Sequence, residues 1–241
     1  MPAYCEESYW EERYSSEPGA YDWYQGYHGL KELLTTLIPT SSRILQVGVG
    51  TSRLQEHMVR VGGYKSITNL DFSKVVIKQM SELHKSVPEL KYLVADCRNM
   101  PDILDCSFDV VLDKGTLDAM LCGESSADSS LLMLQECHRA LIPGGTMLIV
   151  TYGEPLSRLH YFMESKYPHW EDIQVYCIAK LEQLISASAS QKDCPVDEDS
   201  LPPMLKGPYN YTNLDAMDAL SELEAVHFVY VLKKSPDRGK A

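Results

Sequence analysis

The sequence lacks several features that would have placed it in other protein classes. Across its 241 residues no apolar run approaches the roughly 20 residues needed to cross a bilayer. The first residues, Met1-Pro2-Ala3-Tyr4-Cys5-Glu6-Glu7, are acidic and carry no apolar core, so neither a secretory signal nor an Arg-rich transit peptide is expected. The seven cysteines are odd in number and form no C-x-x-C pair, which argues against a zinc site and against a disulfide framework. The seven histidines are just as dispersed, and no metal site is expected. Reduced thiols in the cytoplasm are the simplest reading. Basic residues are also scarce, 22 Lys and Arg against 34 Asp and Glu, for a net charge of −12. That balance disfavours direct nucleic-acid binding through a basic face. It suits a basic protein partner, or it only keeps the chain soluble.

What is present is ordinary for a globular enzyme, 44% hydrophobic and 23% charged residues. A single domain over 1–235 is expected, with a short tail at 236–241. Residues 4–27 are dense in aromatics, and Tyr9, Trp10, Arg13 and Tyr14 have helical spacing. Together with an amphipathic helix over 28–38 they make a distinct segment, 1–40. Strands then fit 43–48, 66–71, 91–95, 108–113 and 145–151, alternating with helices at 52–61, 73–84, 129–141 and 155–166. The run Leu141-Ile142-Pro143-Gly144-Gly145 reads as the turn before the fifth strand. This alternation predicts an α/β fold, a mostly parallel sheet with helices on both faces. Two further strands, near 173–178 and 226–232, are expected to pair antiparallel at its end. Between them, 182–224 is acidic and reads as a mobile surface insertion, either a solvated loop or a docking surface.

The stretch Ile44-Leu45-Gln46-Val47-Gly48-Val49-Gly50-Thr51-Ser52 is the first chemical signal. It predicts a strand, a glycine turn and a helix. Gly48 permits the sharp turn and Gly50 a close approach of backbone to ligand. Asp71, 21 residues beyond Gly50, ends the second strand where a carboxylate can accept both ribose hydroxyls. A dinucleotide site needs a third glycine at position 53, where Arg53 stands. The pattern therefore favours S-adenosylmethionine over NAD. No nucleophile–histidine pair supports covalent catalysis.

The glycine loop, Leu70-Asp71-Phe72-Ser73, Asp113-Lys114-Gly115-Thr116-Leu117-Asp118-Ala119, Tyr9-Trp10-Glu11-Glu12-Arg13-Tyr14 and Tyr21-Asp22-Trp23-Tyr24 together resemble the seven-strand S-adenosylmethionine-dependent methyltransferases. More narrowly they resemble the group that includes the translation elongation factor 1-alpha lysine methyltransferases, over residues 8 to 150. The resemblance implies a Rossmann-like seven-strand sheet with an antiparallel C-terminal hairpin. It implies that Gly48 and Gly50 face the methionine part of the cofactor, that Asp71 binds ribose and that Phe72 packs on adenine. Asp96 would accept from the adenine amino group and the Cys97 amide would donate to the ring. Lys114 would contact the cofactor and Asp113 would form the catalytic floor, a buried ion pair with Asp118 being the rival reading. Trp10, Tyr14 and Trp23 would close over the cofactor, or else act as core anchors. The implied reaction is methylation of a protein lysine, such as one in a translation elongation factor, in the cytoplasm. A small-molecule methyltransferase and a non-catalytic cofactor-binding module are the alternatives.

Overall fold

The computed structural model describes residues 3–180 and 205–236. Eight strands form one sheet in the order β3-β2-β1-β4-β5-β8-β6-β7. They are β1 Arg43–Val47, β2 Ser66–Asp71, β3 Leu90–Val94, β4 Phe108–Lys114, β5 Leu141–Thr151, β6 Trp170–Ala179, β7 Leu205–Asn210 and β8 Val226–Lys234. Strands β1 to β5 pair parallel, whereas β8 runs antiparallel between β5 and β6. The α/β fold and the antiparallel C-terminal end are therefore as the sequence predicts.

The core explains the pattern. Ile44 packs on one face of the sheet with Leu30, Leu34 and Leu54, while Leu45 and Val47 pack on the other with Met133, Leu134 and Cys137. Adjacent strand residues point to opposite faces, so a strand buried on both reads as a continuous apolar run. Helices α2 (Tyr27–Leu37) and α3 (Leu54–Arg60) cover the first face. The second is covered by α5 (Thr116–Met120), α6 (Ser126–Ala140), a pair of short helices α7 (Pro155–Arg158) and α8 (His160–Met163), and α9 (Leu214–Ser221). Helix α1 (Glu7–Ser16) packs on α4 (Lys74–Leu83) at one end of the sheet, with Trp10 and Tyr14 against Val76, Ile77 and Met80.

Four expectations need correction. The sheet has an eighth strand, because β7 adds to the free edge of β6. Strand β7 and helix α9 both fall inside the stretch read as a loop. The helix's apolar anchors, Met217 and Leu220, are too few to stand out in an acidic background, yet both are buried. Residues 181–204, which include the first part of that stretch, lie outside the described residues, as does the tail from 237. The helix expected at 155–166 is two short helices. The run 141–145 is the start of β5 rather than a turn, with Phe108 facing Leu141 and Val110 facing Thr146. The extra residues between those pairs form a bulge in which Gly144 takes φ 72°.

The chain moves outward from β1 to β2 and β3, then returns to the other side of β1 for β4 and β5. This reversal leaves a crevice at the carboxyl ends of β1 and β4, where open α/β sheets bind ligands.

Candidate active site

A cavity of about 520 Å³ occupies that crevice. Its wall is built from the loops that leave β1 to β5 and from the aromatic segment before α2. The volume falls within the range of about 300–1,000 Å³ typical of small-molecule sites.

The glycine loop is shaped by contacts rather than by sequence pattern alone. Gly48 has φ 59°, and a methyl group there would come within 2.0 Å of Thr116 Oγ1. Gly50 has φ 54°, and a side chain there would meet the Tyr14 hydroxyl at 2.9 Å. Both positions need glycine for conformation and for space. The loop is tied to β2 by the Val49 amide, which donates to Leu70 O at 3.0 Å. The Gly50 amide donates to Asp71 Oδ2 at 3.0 Å, and the Ser73 amide donates to Asp71 Oδ1 at 3.0 Å. Each carboxylate oxygen keeps a lone pair for a further donor. Asp71 is buried, and that burial pushes its pKa up to about 6 despite the backbone amides that favour the ionised form.

Beyond β3, Asp96 and Cys97 also line the cavity. The Asp96 carboxylate is clamped by Arg98, with Nη2 at 2.7 Å from Oδ2 and Nε at 3.0 Å from Oδ1. Gln46, which also lines the cavity, keeps its Oε1 buried with no partner among the described residues. Leaving such an acceptor unmatched costs about 1–3 kcal/mol. A cationic amino group at the glycine loop would satisfy it. This orphaned acceptor, the paired glycines and the Asp71 carboxylate fit the ammonium, the close backbone approach and the ribose of S-adenosylmethionine.

On the other side of the switch point, Lys114 ends β4 with its side chain buried. Its ammonium donates to Asp22 Oδ1 at 3.0 Å and to Trp23 O at 3.3 Å. Burial holds its pKa below the ordinary lysine value, against the pull of Asp22. Asp22 also accepts from Ser52 Oγ and from the Arg53 amide, so one carboxylate joins the aromatic segment, the glycine loop and β4. Asp118 pairs instead with Arg158, whose Nη2 lies 2.8 Å from Oδ1, and accepts from Thr151 Oγ1 at 2.6 Å.

A methyltransferase domain model matches residues 45–149. EEF1A lysine methyltransferase 4 of Mus musculus is 35% identical over 174 residues, 68% of this chain and 68% of that protein. The eEF1A lysine and N-terminal methyltransferase of Mus musculus is 38% identical over 150 residues, but these span 21% of its length. Among solved structures, a chain of the complex between the Haloferax volcanii Trm112 methyltransferase activator and a methyltransferase superposes with TM-score 0.52 and 15% identity, covering 98% of this chain and 97% of that one. The last shares the fold alone. The chain belongs to the S-adenosylmethionine-dependent methyltransferases.

Within this methyltransferase, most of the predicted residues meet at one cavity. Trp10, Tyr14, Trp23, Gly48, Gly50, Asp71, Phe72, Asp96, Cys97 and Lys114 all line it. Asp113 does not. Its carboxylate accepts from the Thr116 amide at 2.8 Å and the Leu117 amide at 3.2 Å, so it caps α5. The cause is direction: the Asp113 side chain turns back under the loop that Gly115, at φ 87°, sends over it. Burial, then the nearby Asp118, push its pKa up to about 7. The rival pairing of Lys114 with Asp118 is also replaced, since each has its own partner from elsewhere in the chain.

Trp10 and Trp23 do not simply wait for a cofactor cation. The Arg13 guanidinium already lies 5.4–5.6 Å from the ring centres of Trp10, Tyr21 and Trp23. Three aromatic faces around one cation make a favourable cluster, and it holds α1 to the following loop. The residues that sequence reasoning passed over are Asp22, Arg158 and Glu11, each working across 30 or more positions. Asp22 stands inside the quoted Tyr21-Asp22-Trp23-Tyr24 run; nothing local to Arg158 marks it.

Proposed function

We propose that this methyltransferase acts on the ε-amine of a lysine in a protein, with translation elongation factor 1-alpha as the first substrate to test. The observation that carries the reading is the 35% identity, over 68% of its length, to a relative named EEF1A lysine methyltransferase 4. The net charge of −12 supports a basic protein partner, and a cytoplasmic setting fits that substrate. No described helix is long and apolar enough to cross a membrane.

In this reading Asp71 holds the ribose hydroxyls, Gln46 Oε1 accepts from the cofactor's ammonium, and Gly48 and Gly50 let the backbone approach its amino-acid end. Phe72 packs on adenine, with Asp96 and the Cys97 amide at the ring edge. Held by these residues, S-adenosylmethionine would supply a methyl carbon made electrophilic by a cationic sulfur, with the neutral thioether as leaving group and water as the sink for the amine's proton. The protein's contribution is alignment and exclusion of water, with Lys114 and Asp22 fixing the glycine loop against β4. A low-dielectric cavity also lowers the pKa of an entering amine, which must be neutral to react.

The test is radiolabel transfer from S-adenosylmethionine into purified elongation factor 1-alpha and into a lysate, followed by mapping of the labelled residue. Label on a protein lysine is expected. Label confined to the small-molecule fraction overturns the reading.

A further inference from the structure

The contacts that suit the cofactor lie after β1, β2 and β3. The rest of the cavity, over the ends of β4 and β5, is lined by Tyr24, Gly115, Asp118 and Tyr152 and has no assigned occupant. We propose that this half is the acceptor-amine subsite, and that the Tyr24 hydroxyl, which shares this wall with Asp118, accepts an N–H of the incoming lysine amine. The proposal rests on the lysine reading and names the residue that would enforce it.

Three features converge on Tyr24. Its backbone has φ 61°, in the left-handed region that non-glycine residues rarely enter. Such a residue costs about 1–3 kcal/mol and persists where its surroundings hold it, most often at functional sites. Its ring lies against Gly115, where an added methyl group would sit 3.2 Å from Tyr24 Cε2. Gly115 of the Asp-Lys-Gly-Thr-Leu-Asp run therefore makes room for this ring. The third feature is the setting of the hydroxyl. Burial, and then the nearby Asp118 carboxylate, push the Tyr24 pKa far above the ordinary tyrosine value. The phenol therefore keeps its proton, and its oxygen lone pairs can accept from a donor.

Arg158 decides which form of amine the subsite favours. Its guanidinium pairs with Asp118 in a buried contact, cancelling the charge that would otherwise hold a lysine as ammonium. A neutral phenol oxygen beside a neutralised pair accepts N–H without retaining the extra proton, so the nitrogen lone pair stays available. Arg158 also lies 5.3 Å from the centre of the Tyr152 ring, an exposed aromatic at the mouth against which an aliphatic lysine stem can lie.

The experiment compares binding of S-adenosylhomocysteine with that of a bisubstrate analogue, in which nitrogen replaces the sulfur and carries an aminoalkyl arm. Calorimetry on the full chain reads both, for wild type and for Tyr24→Phe. The arm should tighten wild-type binding, and Tyr24→Phe should lose about tenfold of that gain while binding S-adenosylhomocysteine within twofold of wild type. Full retention of the gain in Tyr24→Phe overturns the role of the hydroxyl and leaves the lysine reading standing. A parallel loss for both ligands, with a lowered melting temperature, assigns Tyr24 a structural role and also overturns it. Should wild type gain from a hydroxyalkyl arm but not from an aminoalkyl one, the acceptor is not an amine, and the lysine reading falls as well.

Discussion

The two halves of the cavity are built in different ways. The half over β1, β2 and β3 is made by residues at the end of a strand or up to two positions past it: Gly48, Asp71 and Asp96. The half over β4 and β5 is made by residues brought from far apart, since Asp22 reaches Lys114 across 92 positions and Arg158 reaches Asp118 across 40. A ligand shared by many proteins can be held by backbone turns at fixed places in a fold. An acceptor that differs from one enzyme to the next has to be met by side chains recruited from loops. The first half should thus respond to point changes as a local binding site, and the second as a cross-linked structure.

Asp71→Ala should have the largest effect. It removes the proposed acceptor for two ribose hydroxyls and also the anchor of the Gly50 amide. Hydrogen bonds to charged groups contribute about 1.5–3 kcal/mol, so affinity for S-adenosylmethionine should fall about a hundredfold by calorimetry. Circular dichroism should be unchanged. If affinity stays within threefold of wild type, the ribose lies elsewhere and the division of the cavity collapses.

The same contrast decides how much was legible in the sequence. Strand β1 and the acid after β2 were readable because local patterns encode them: a run buried on both faces, a glycine turn, a carboxylate at a strand end. Sequence position gives the strand end at Asp113 but not the direction of its side chain, and the left-handed turn at Gly115 folds the α5 amides over it. Lys114 lines the cavity, but its partner Asp22 is not legible in the sequence, because a long-range ion pair leaves no periodic trace. Strand β7 was missed for a related reason. It is an edge strand with the exposed, polar sequence Leu205-Lys206-Gly207-Pro208-Tyr209-Asn210, held by pairing to β6 rather than by alternating apolar residues.

The cross-linked half is tested by taking the Asp22–Lys114 pair apart from each side. Asp22→Asn leaves a buried cation without its counter-charge, whereas Lys114→Met leaves a partly exposed carboxylate that still accepts from Ser52 and Arg53. Breaking a fully buried pair costs about 3–5 kcal/mol. With Asp22 partly solvated, about 2 kcal/mol is expected for Asp22→Asn and about 1 kcal/mol for Lys114→Met, measured by urea unfolding. The reverse order would mean that Asp22, not Lys114, is the group dependent on its partner.

Cofactor binding should also depend on pH through Asp71. Its pKa, about 6 in the empty site, lies well above the ordinary aspartate value because of burial. On the proposed assignment, ribose hydroxyls donate to the ionised carboxylate, so the bound form has the lower pKa. Below about pH 6 binding must therefore release a proton. Affinity for S-adenosylhomocysteine should be nearly flat above pH 7 and about tenfold weaker at pH 5. Calorimetry in two buffers of different ionisation enthalpy should detect the released proton at pH 5.5. No proton release there would place the ionised carboxylate in the empty site as well.

The smallest effect expected is at the joint between α1 and the cofactor half. The Glu11 carboxylate accepts from the Lys74 amide at 2.8 Å, the Val75 amide at 3.2 Å and Ser73 Oγ at 3.2 Å, so it sits at the N-terminus of α4. An anion there gains about 0.3–1 kcal/mol from the helix dipole. Helix α4 starts immediately after Asp71, Phe72 and Ser73, so this contact docks α1, with Trp10 and Tyr14, directly beside the ribose acid. Glu11→Gln keeps the shape but removes the charge. It should weaken S-adenosylhomocysteine binding about threefold and reduce hydrogen-exchange protection across 7–16. It should also shift the pH dependence of binding toward lower pH, because the Glu11 charge contributes to raising the Asp71 pKa. The shift separates two roles for α1. If α1 only fills the core, Glu11→Gln lowers the melting temperature and leaves both affinity and its pH midpoint where they were. If α1 belongs to the cofactor half, affinity and midpoint move together while the melting temperature changes little.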